Sequence, residues 1–133
     1  MTLRKTTWEY LTTDAPLLAV IPAERWFSLG GVKDRPVTPY AVLAWFGSVE
    51  SVGLNLINLL QVQIHDDPGS YARIEDIHVL VQDRLKAAQQ YVGLTGYRLV
   101  QADYTGVSAD LIDPDRRTGF QYTSWSVVGG KAL

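Results

Sequence analysis

Apolar residues recur at three- and four-residue intervals between Tyr71 and Ala88, the longest periodic segment of the chain. This spacing places them on one face of an α-helix and leaves charged and amide side chains on the other. The predicted buried stripe consists of Tyr71, Ile74, Ile77, His78, Val81, Leu85 and Ala88. Asp67 and Pro68 signal the helix start, and Gly93 or Gly96 is expected to end it. The segment is therefore predicted to be a long helix that packs on a sheet.

Strand-length apolar runs lie on both sides of this helix. Residues 40–46 form a continuous apolar run, which is typical of a strand covered on both faces. The next run ends in strict alternation, with Val62 and Ile64 on one face and glutamines on the other. Strands are predicted at residues 23–29, 40–46, 56–65, 97–104 and 119–128. Residues 47–53 are expected to form a turn or a hairpin tip, and residues 105–118 a loop.

The N-terminal segment is predicted to be a broken helix over residues 3–21. Asp14 can cap a second short helix, and Pro16 is tolerated in its first turn. At the other end, residues 129–133 are expected to fray. The predicted fold class is α+β: a mainly antiparallel sheet of four to five strands, with one long helix on a face and a short broken N-terminal helix.

Composition narrows the function classes. The chain has 133 residues, which predicts a single domain over 1–133, and it is 47% hydrophobic and 20% charged. A net charge of −2 argues against a protein that grips nucleic acid, although DNA could pass nearby without specific binding. The absence of cysteine excludes disulfides and thiolate chemistry. No membrane span or secretory signal is expected, so synthesis in the cytoplasm is predicted.

Two acidic clusters are the candidates for a metal site. His65, Asp66 and Asp67 with His78 could ligate a cation, but their spacing matches no ligand pattern, and Asp67 suits a helix cap. The loop that holds Asp110, Asp113 and Asp115 lacks the glycine and glutamate of a calcium loop. Capping and turn formation explain both clusters, so no metal and no cofactor is expected.

Catalytic signatures are missing from the sequence. There is no Gly-x-Ser-x-Gly elbow, and the pair Gly30-Gly31 lacks the spacing of a phosphate loop. The four tryptophans, Trp8, Trp26, Trp45 and Trp125, are typical of core or interface positions. No enzyme activity is therefore expected.

The order and spacing of these signals resemble the tail terminator, or tail completion, proteins of long-tailed bacteriophages. The resemblance covers most of the chain and rests on order and spacing. Its segments are 15–20, 38–43, the strand end at Ile64-His65, the helix over 72–81, then 96–99 and the closing strand at 122–127.

This resemblance implies a structural virion protein located at the neck end of the tail. Its members form a hexameric ring on the head-proximal end of the tail tube, stop tube polymerisation and offer the surface that joins the head connector. The implied partners are other copies of the chain, the tube protein and the connector protein. DNA passes through such a ring, and assembly takes place in the host cytoplasm.

A closed ring needs two different contact patches on each subunit. The predicted patches lie on the apolar strand at 40–46, on the final strand and on two charged loops. The predicted interface residues are Arg35, Tyr40, Trp45, Asp113, Asp115, Arg116, Arg117, Tyr122 and Trp125.

Three alternatives stay open from the sequence. The chain could be another neck protein, such as a stopper or adaptor, which is also small and ring-forming. It could be a small cytosolic α+β enzyme or ligand-binding domain, with a pocket expected where His78 approaches Tyr97 or Tyr122. It could also be a dimeric interaction module, which its stoichiometry would distinguish from a ring.

Overall fold

A computed structural model describes residues 3–32, 35–52, 55–94 and 96–131. Two short helices, α1 (Leu3–Thr12) and α2 (Ala15–Val20), open the chain, and α3 (Tyr71–Lys86) lies in its middle. Asp14 caps α2 as predicted, because its carboxylate accepts the Leu17 N–H at 3.3 Å. The N-terminal segment is therefore a broken helix, as its sequence indicated.

Seven strands in the described residues form one sheet. Its strands are β1 (Trp26–Ser28), β2 (Tyr40–Val52), β3 (Asn55–Asp66), β4 (Tyr91–Val92), β5 (Tyr97–Val107), β6 (Leu111–Asp113) and β7 (Thr118–Lys131). The spatial order is β1-β2-β3-β7-β5-β4, with β6 paired to β7 off this path. Only β1 and β2 pair in parallel. The mainly antiparallel α+β class is thus confirmed.

The hydrophobic core lies between one face of this sheet and the three helices. From α3 it receives Ile74, Ile77, Val81 and Leu85, and His78 is buried beside them. Alternation along β3 and β7 sends Ile64, Val62 and Leu60 towards the helices, opposite Gln121, Thr123 and Trp125. The predicted helical stripe is therefore the face that α3 buries.

The sheet has more strands than the four to five predicted. The additional strands, β4 and β6, contain two and three residues, and each pairs with the edge of a longer strand. Such short segments show no periodicity that could reveal them in the sequence. The helix also ends earlier than expected, at Lys86, and β4 occupies the space before Gly93.

Two expected irregular segments are strands in the structure. The predicted turn after residue 46 is a β-bulge: the β2–β3 register shifts around Gly47, whose φ is 58°, and β2 continues to Val52. The tail prediction of fraying is wrong for residues 129–131, because Gly129 pairs with both Leu56 and Leu99 inside the sheet. Residues 132–133 lie outside the described part of the chain.

Candidate functional site

An aromatic stack lies on the sheet face opposite the helices. Register places Tyr40 beside His65 and His65 beside Phe120, and the ring centroids are 4.7 Å and 4.5 Å apart. Phe27 meets the Tyr40 ring edge-on at 5.8 Å. Tyr40 is 0% exposed, so the subunit's own packing already covers it. The single chain therefore leaves no exposed surface on Tyr40, and its contact with a neighbouring subunit stays a prediction.

The histidine in the middle of the stack is neutral near pH 7. Burial lowers the pKa of His65 from 6.5 to about 4, because an imidazolium would lose its hydration there. Its two ring nitrogens lie 2.9 Å from Thr118 Oγ1 and 3.0 Å from Gln63 Oε1. Both polar atoms are thus satisfied inside the subunit, and His65 is a packing residue.

Trp125 is also an interior residue of the single chain, and its interface role stays a prediction. It is 0% exposed on the helix side of β7, and its indole N–H donates to Thr123 Oγ1 at 2.9 Å. The Tyr104 ring packs against it edge-on at 5.4 Å. Tyr122 lies on the opposite face of the same strand and is half-buried, so it stays available for contacts.

The loop between β6 and β7 is a structured turn. Asp113 Oδ1 accepts the backbone N–H groups of Asp115 at 3.0 Å and Arg116 at 3.2 Å, as an Asx turn does. The Arg116 guanidinium lies 3.5 Å from the Asp113 carboxylate and donates to the Val32 carbonyl at 3.5 Å. Asp113 and Arg116 therefore hold two loops together and are only half exposed.

The remaining charged candidates are exposed. Arg35, Asp115 and Arg117 all lie on the surface, and no side-chain bond of theirs is present in the described residues. Arg35 and Arg117 have φ of 46° and 55°, so each occupies a left-handed turn position. These three side chains are the loop residues free to meet a partner, and their interface role stays a prediction.

Trp45 belongs to a groove between α1 and the β1 edge of the sheet. We call this the α1 groove; it has a volume of about 410 Å³. Its lining consists of Arg4, Lys5, Trp8, Phe27, Ser28, Leu29, Leu43 and Trp45. The Arg4 guanidinium carbon lies 6.0 Å from the Trp45 ring centroid, within cation–π distance. Trp45 therefore faces an open surface, as an interface residue must.

Sequence reasoning missed most of this groove. The sequence did not single out Arg4 and Lys5 as contact residues, and Leu29 only ended a predicted strand. The available signal was Trp8, which lies beside rather than on the apolar face of α1 and is 39% exposed. The contribution of β1 and β2 could not be found, because these strands meet α1 only in the folded chain.

A second groove lies beside His78, between α3 and β5. His78 Nε2 lies 3.1 Å from the Gln121 carbonyl, and burial lowers the pKa of the imidazole. Tyr104 borders this groove, whereas neither Tyr97 nor Tyr122 does. The two tyrosines expected beside His78 are therefore not part of this groove, which Glu75, Gln82, Ser108 and Gln121 line with it.

The candidate metal residues are separated and bonded elsewhere. Asp66 is fully buried and is paired with Arg73, on the sheet face opposite His65. Asp110 accepts from the Gln121 amide at 2.6 Å. Across residues 3–32, 35–52, 55–94 and 96–131, no group of three or more His, Asp or Glu side chains is placed to hold a metal.

A comparison with solved structures finds a chain of similar fold. A chain from a structure titled "Virion of native gene transfer agent (GTA) particle" matches this fold with a TM-score of 0.66. The match covers 96% of this chain and 95% of that chain, at 16% sequence identity. At this identity the likeness shows a shared fold.

Sequence comparison adds no relative. No protein-family model matches the chain. No curated protein matches it either. Within its described residues, the chain has no helix of the length and apolar character that a membrane crossing requires.

Proposed function

We propose that this chain is a structural virion protein of a tailed, phage-like particle, and that it caps the head-proximal end of the tail tube as a tail terminator. The observation that carries the proposal is the shared fold with a chain of a gene transfer agent virion, nearly end to end in both chains. The order of sequence signals, which resembles that of tail terminator proteins, supports the finer assignment.

The proposed mechanism is steric and adhesive. One face of the subunit matches the end of the tube, and the opposite face carries no surface that a further tube subunit could join, so growth ends. The separated polar residues fit this role, because His65, Asp66, Asp110 and Asp113 all bond within the subunit. These residues position loops and strands.

The proposed assembly is a homo-hexameric ring through which DNA passes. The exposed residues Arg35, Asp115 and Arg117 and the half-buried Trp45 and Tyr122 remain candidates for contacts with a neighbouring copy, the tube protein or the head connector. A net charge of −2 favours passage of DNA without tight phosphate contacts.

The test is tube capping with the tube protein encoded by the same particle. Tube protein alone is expected to polymerise to varied and increasing lengths. Adding the tagged chain should arrest growth, and gold labelling in electron micrographs should mark one end of each tube. Label spread along the tubes, or tubes that lengthen unchanged, would contradict the proposal.

The same experiment separates the neck alternatives. A terminator binds tube protein without heads, whereas a stopper or adaptor binds head connector rings. Pull-down of purified connector rings with no binding to tubes would favour the stopper or adaptor. A tight dimer by light scattering, with neither binding, would favour the interaction module.

A further inference from the structure

The α1 groove combines exposed apolar surface with unpaired positive charge. Trp8 and Leu29 are exposed apolar residues of this groove, and Leu29 is 62% exposed. Arg4 and Lys5 border the groove, and neither forms an ion pair with any described residue. An apolar floor with a charged rim is the usual anatomy of a protein contact.

A second patch of the opposite charge lies on the other side of the helix layer. We call it the β5 patch; its groove has a volume of about 320 Å³. It is lined by Glu75, His78, Val79, Gln82, Tyr104, Val107, Ser108 and Gln121. Val79, Tyr104 and Val107 are exposed apolar residues, and Glu75 has no ion-pair partner among the described residues.

Charge around the β5 patch is negative on balance. Glu75 lines it, and the Asp110 carboxylate accepts a hydrogen bond from Gln121, which also lines it. The one cation at this margin is Lys86, whose ammonium lies 5.3 Å from the Tyr104 ring centroid. The patch therefore complements the two cations of the α1 groove.

Sheet order separates the β1 wall of the α1 groove from the β5 patch. The α1 wall of the groove meets β5 at Tyr97, seven residues before Tyr104 along that strand. Its β1 wall lies four strand spacings from β5, across β2, β3 and β7. At about 4.8 Å per spacing this separation is roughly 19 Å. One chain therefore cannot bring the β1 wall of its own groove onto its own patch.

We propose that the α1 groove of one subunit receives the β5 patch of the next, so that copies of this chain join head to tail. Two different complementary patches make a heterologous contact, which closes into a ring when the rotation between copies fits. This inference rests on the proposed ring and assigns the residues that form its subunit contact. Leu29 and Trp8 would pack on Val79 and Val107, with Arg4 and Lys5 near Glu75.

Cysteine cross-linking tests this contact, since the chain has no cysteine of its own. Assembly of the variant Leu29→Cys/Val107→Cys, alone or on tubes, is first verified by light scattering or electron microscopy. The assembled protein is then treated with a short bis-maleimide. A head-to-tail contact predicts a ladder of covalent bands rising to six chains. Each single-cysteine variant should stay a monomer on the same gel.

The matched control is Leu29→Cys/Val92→Cys. Val92 is 56% exposed and Val107 57%, and Val92 belongs to the β4 margin on the same side of the sheet. The control should cross-link at least about tenfold less. If the control gives more cross-linked bands than Leu29→Cys/Val107→Cys, or if Leu29→Cys alone gives a dimer, the proposed pairing is wrong. Neither result would contradict the ring. Failure to assemble, alone and on tubes, would remove both proposals.

Charge reversal gives an independent reading. Arg4→Glu/Lys5→Glu should raise the protein concentration needed for half-assembly by about tenfold or more, because like charges then face each other. Adding Glu75→Lys to that variant should recover most of the loss. If circular dichroism shows that the variants are folded but Glu75→Lys does not restore assembly, these charges are not in contact.

Discussion

The centre of the sheet and its margins are built differently. Strands β3 and β7 pair over twelve residues without a register shift, from Asn55 with Gly130 to Asp66 with Gly119. Each outer long strand, β2 and β5, contains two register shifts, and both are bordered by strands of only two or three residues. The exposed apolar residues Leu29, Phe46, Val92, Tyr104 and Val107 also belong to the outer strands or adjoin them.

This difference separates stability from binding. Regular pairing under a helix layer buries large side chains, whereas bulges and short edge strands leave apolar surface for partners and limit uncontrolled strand addition. We therefore expect substitutions in the centre to change the free energy of unfolding, and substitutions at the margins to change assembly.

The largest effect is expected from Trp125→Ala at the centre. Removing a fully buried indole should lower the free energy of unfolding by about 3–5 kcal/mol, through lost burial and a residual cavity. Urea denaturation followed by circular dichroism measures it. The matched control is Trp8→Ala at the margin. It should change the free energy of unfolding by no more than about 0.5 kcal/mol, yet weaken assembly. Equal losses for the two tryptophans would break the distinction.

Acid should weaken the centre next. His65 has a folded pKa of about 4 against 6.5 unfolded, so the unfolded chain binds more protons between these values. The stabilisation is complete above pH 6.5 and is lost as the pH falls towards 4, with a slope of up to about 1.4 kcal/mol per pH unit. His78 adds in the same direction.

The check is urea denaturation at several pH values for His65→Phe, which keeps a ring between Tyr40 and Phe120 but cannot take up a proton. Its unfolding free energy should depend less steeply on pH than that of the natural chain. An unchanged slope would mean that His65 does not titrate between the folded and unfolded states as described.

A smaller effect is expected where β7 meets α1. A methyl group at Gly129 would contact the Arg98 carbonyl oxygen and Leu3 Cδ1 closer than atoms allow. Gly129→Ala should therefore cost about 1–3 kcal/mol through overpacking, measured as a lower denaturation midpoint. Ser126→Ala, on the same strand but half-buried on the other face, is the control and should change little. A neutral Gly129→Ala would mean that α1 can shift.

The smallest effect on stability is expected at the marginal turn. Asp113→Ala removes the acceptor of two backbone N–H groups, so a loss of about 1 kcal/mol in thermal unfolding is expected. Asp115→Ala should lie within about 0.5 kcal/mol of the natural chain, because its exposed side chain makes no bond among the described residues. The reverse ranking would contradict the Asx turn.

Local patterns predicted the elements better than the surfaces. Periodicity and capping patterns identified the α3 stripe, the Asp14 cap and the alternation at Val62 and Ile64, because each depends on residues that are close in sequence. The sequence did not show that the interface candidates Tyr40 and Trp125 are buried in the subunit, because large aromatic residues suit cores and contacts equally well. Their burial depends on His65, Phe120 and Tyr104, which lie far away in sequence.

By itself, the sequence determined the α+β class, the long amphipathic helix and the five main strands, because side-chain period and capping act over a few residues. Only the tertiary structure decided that Gly47 makes a bulge, that β4 and β6 exist, and that Gly129 continues the sheet, since each depends on a neighbouring strand edge. It alone also joined Arg4 and Trp8 of α1 to Leu29 and Trp45. A surface patch is assembled from distant segments, and no local pattern records which segments will meet.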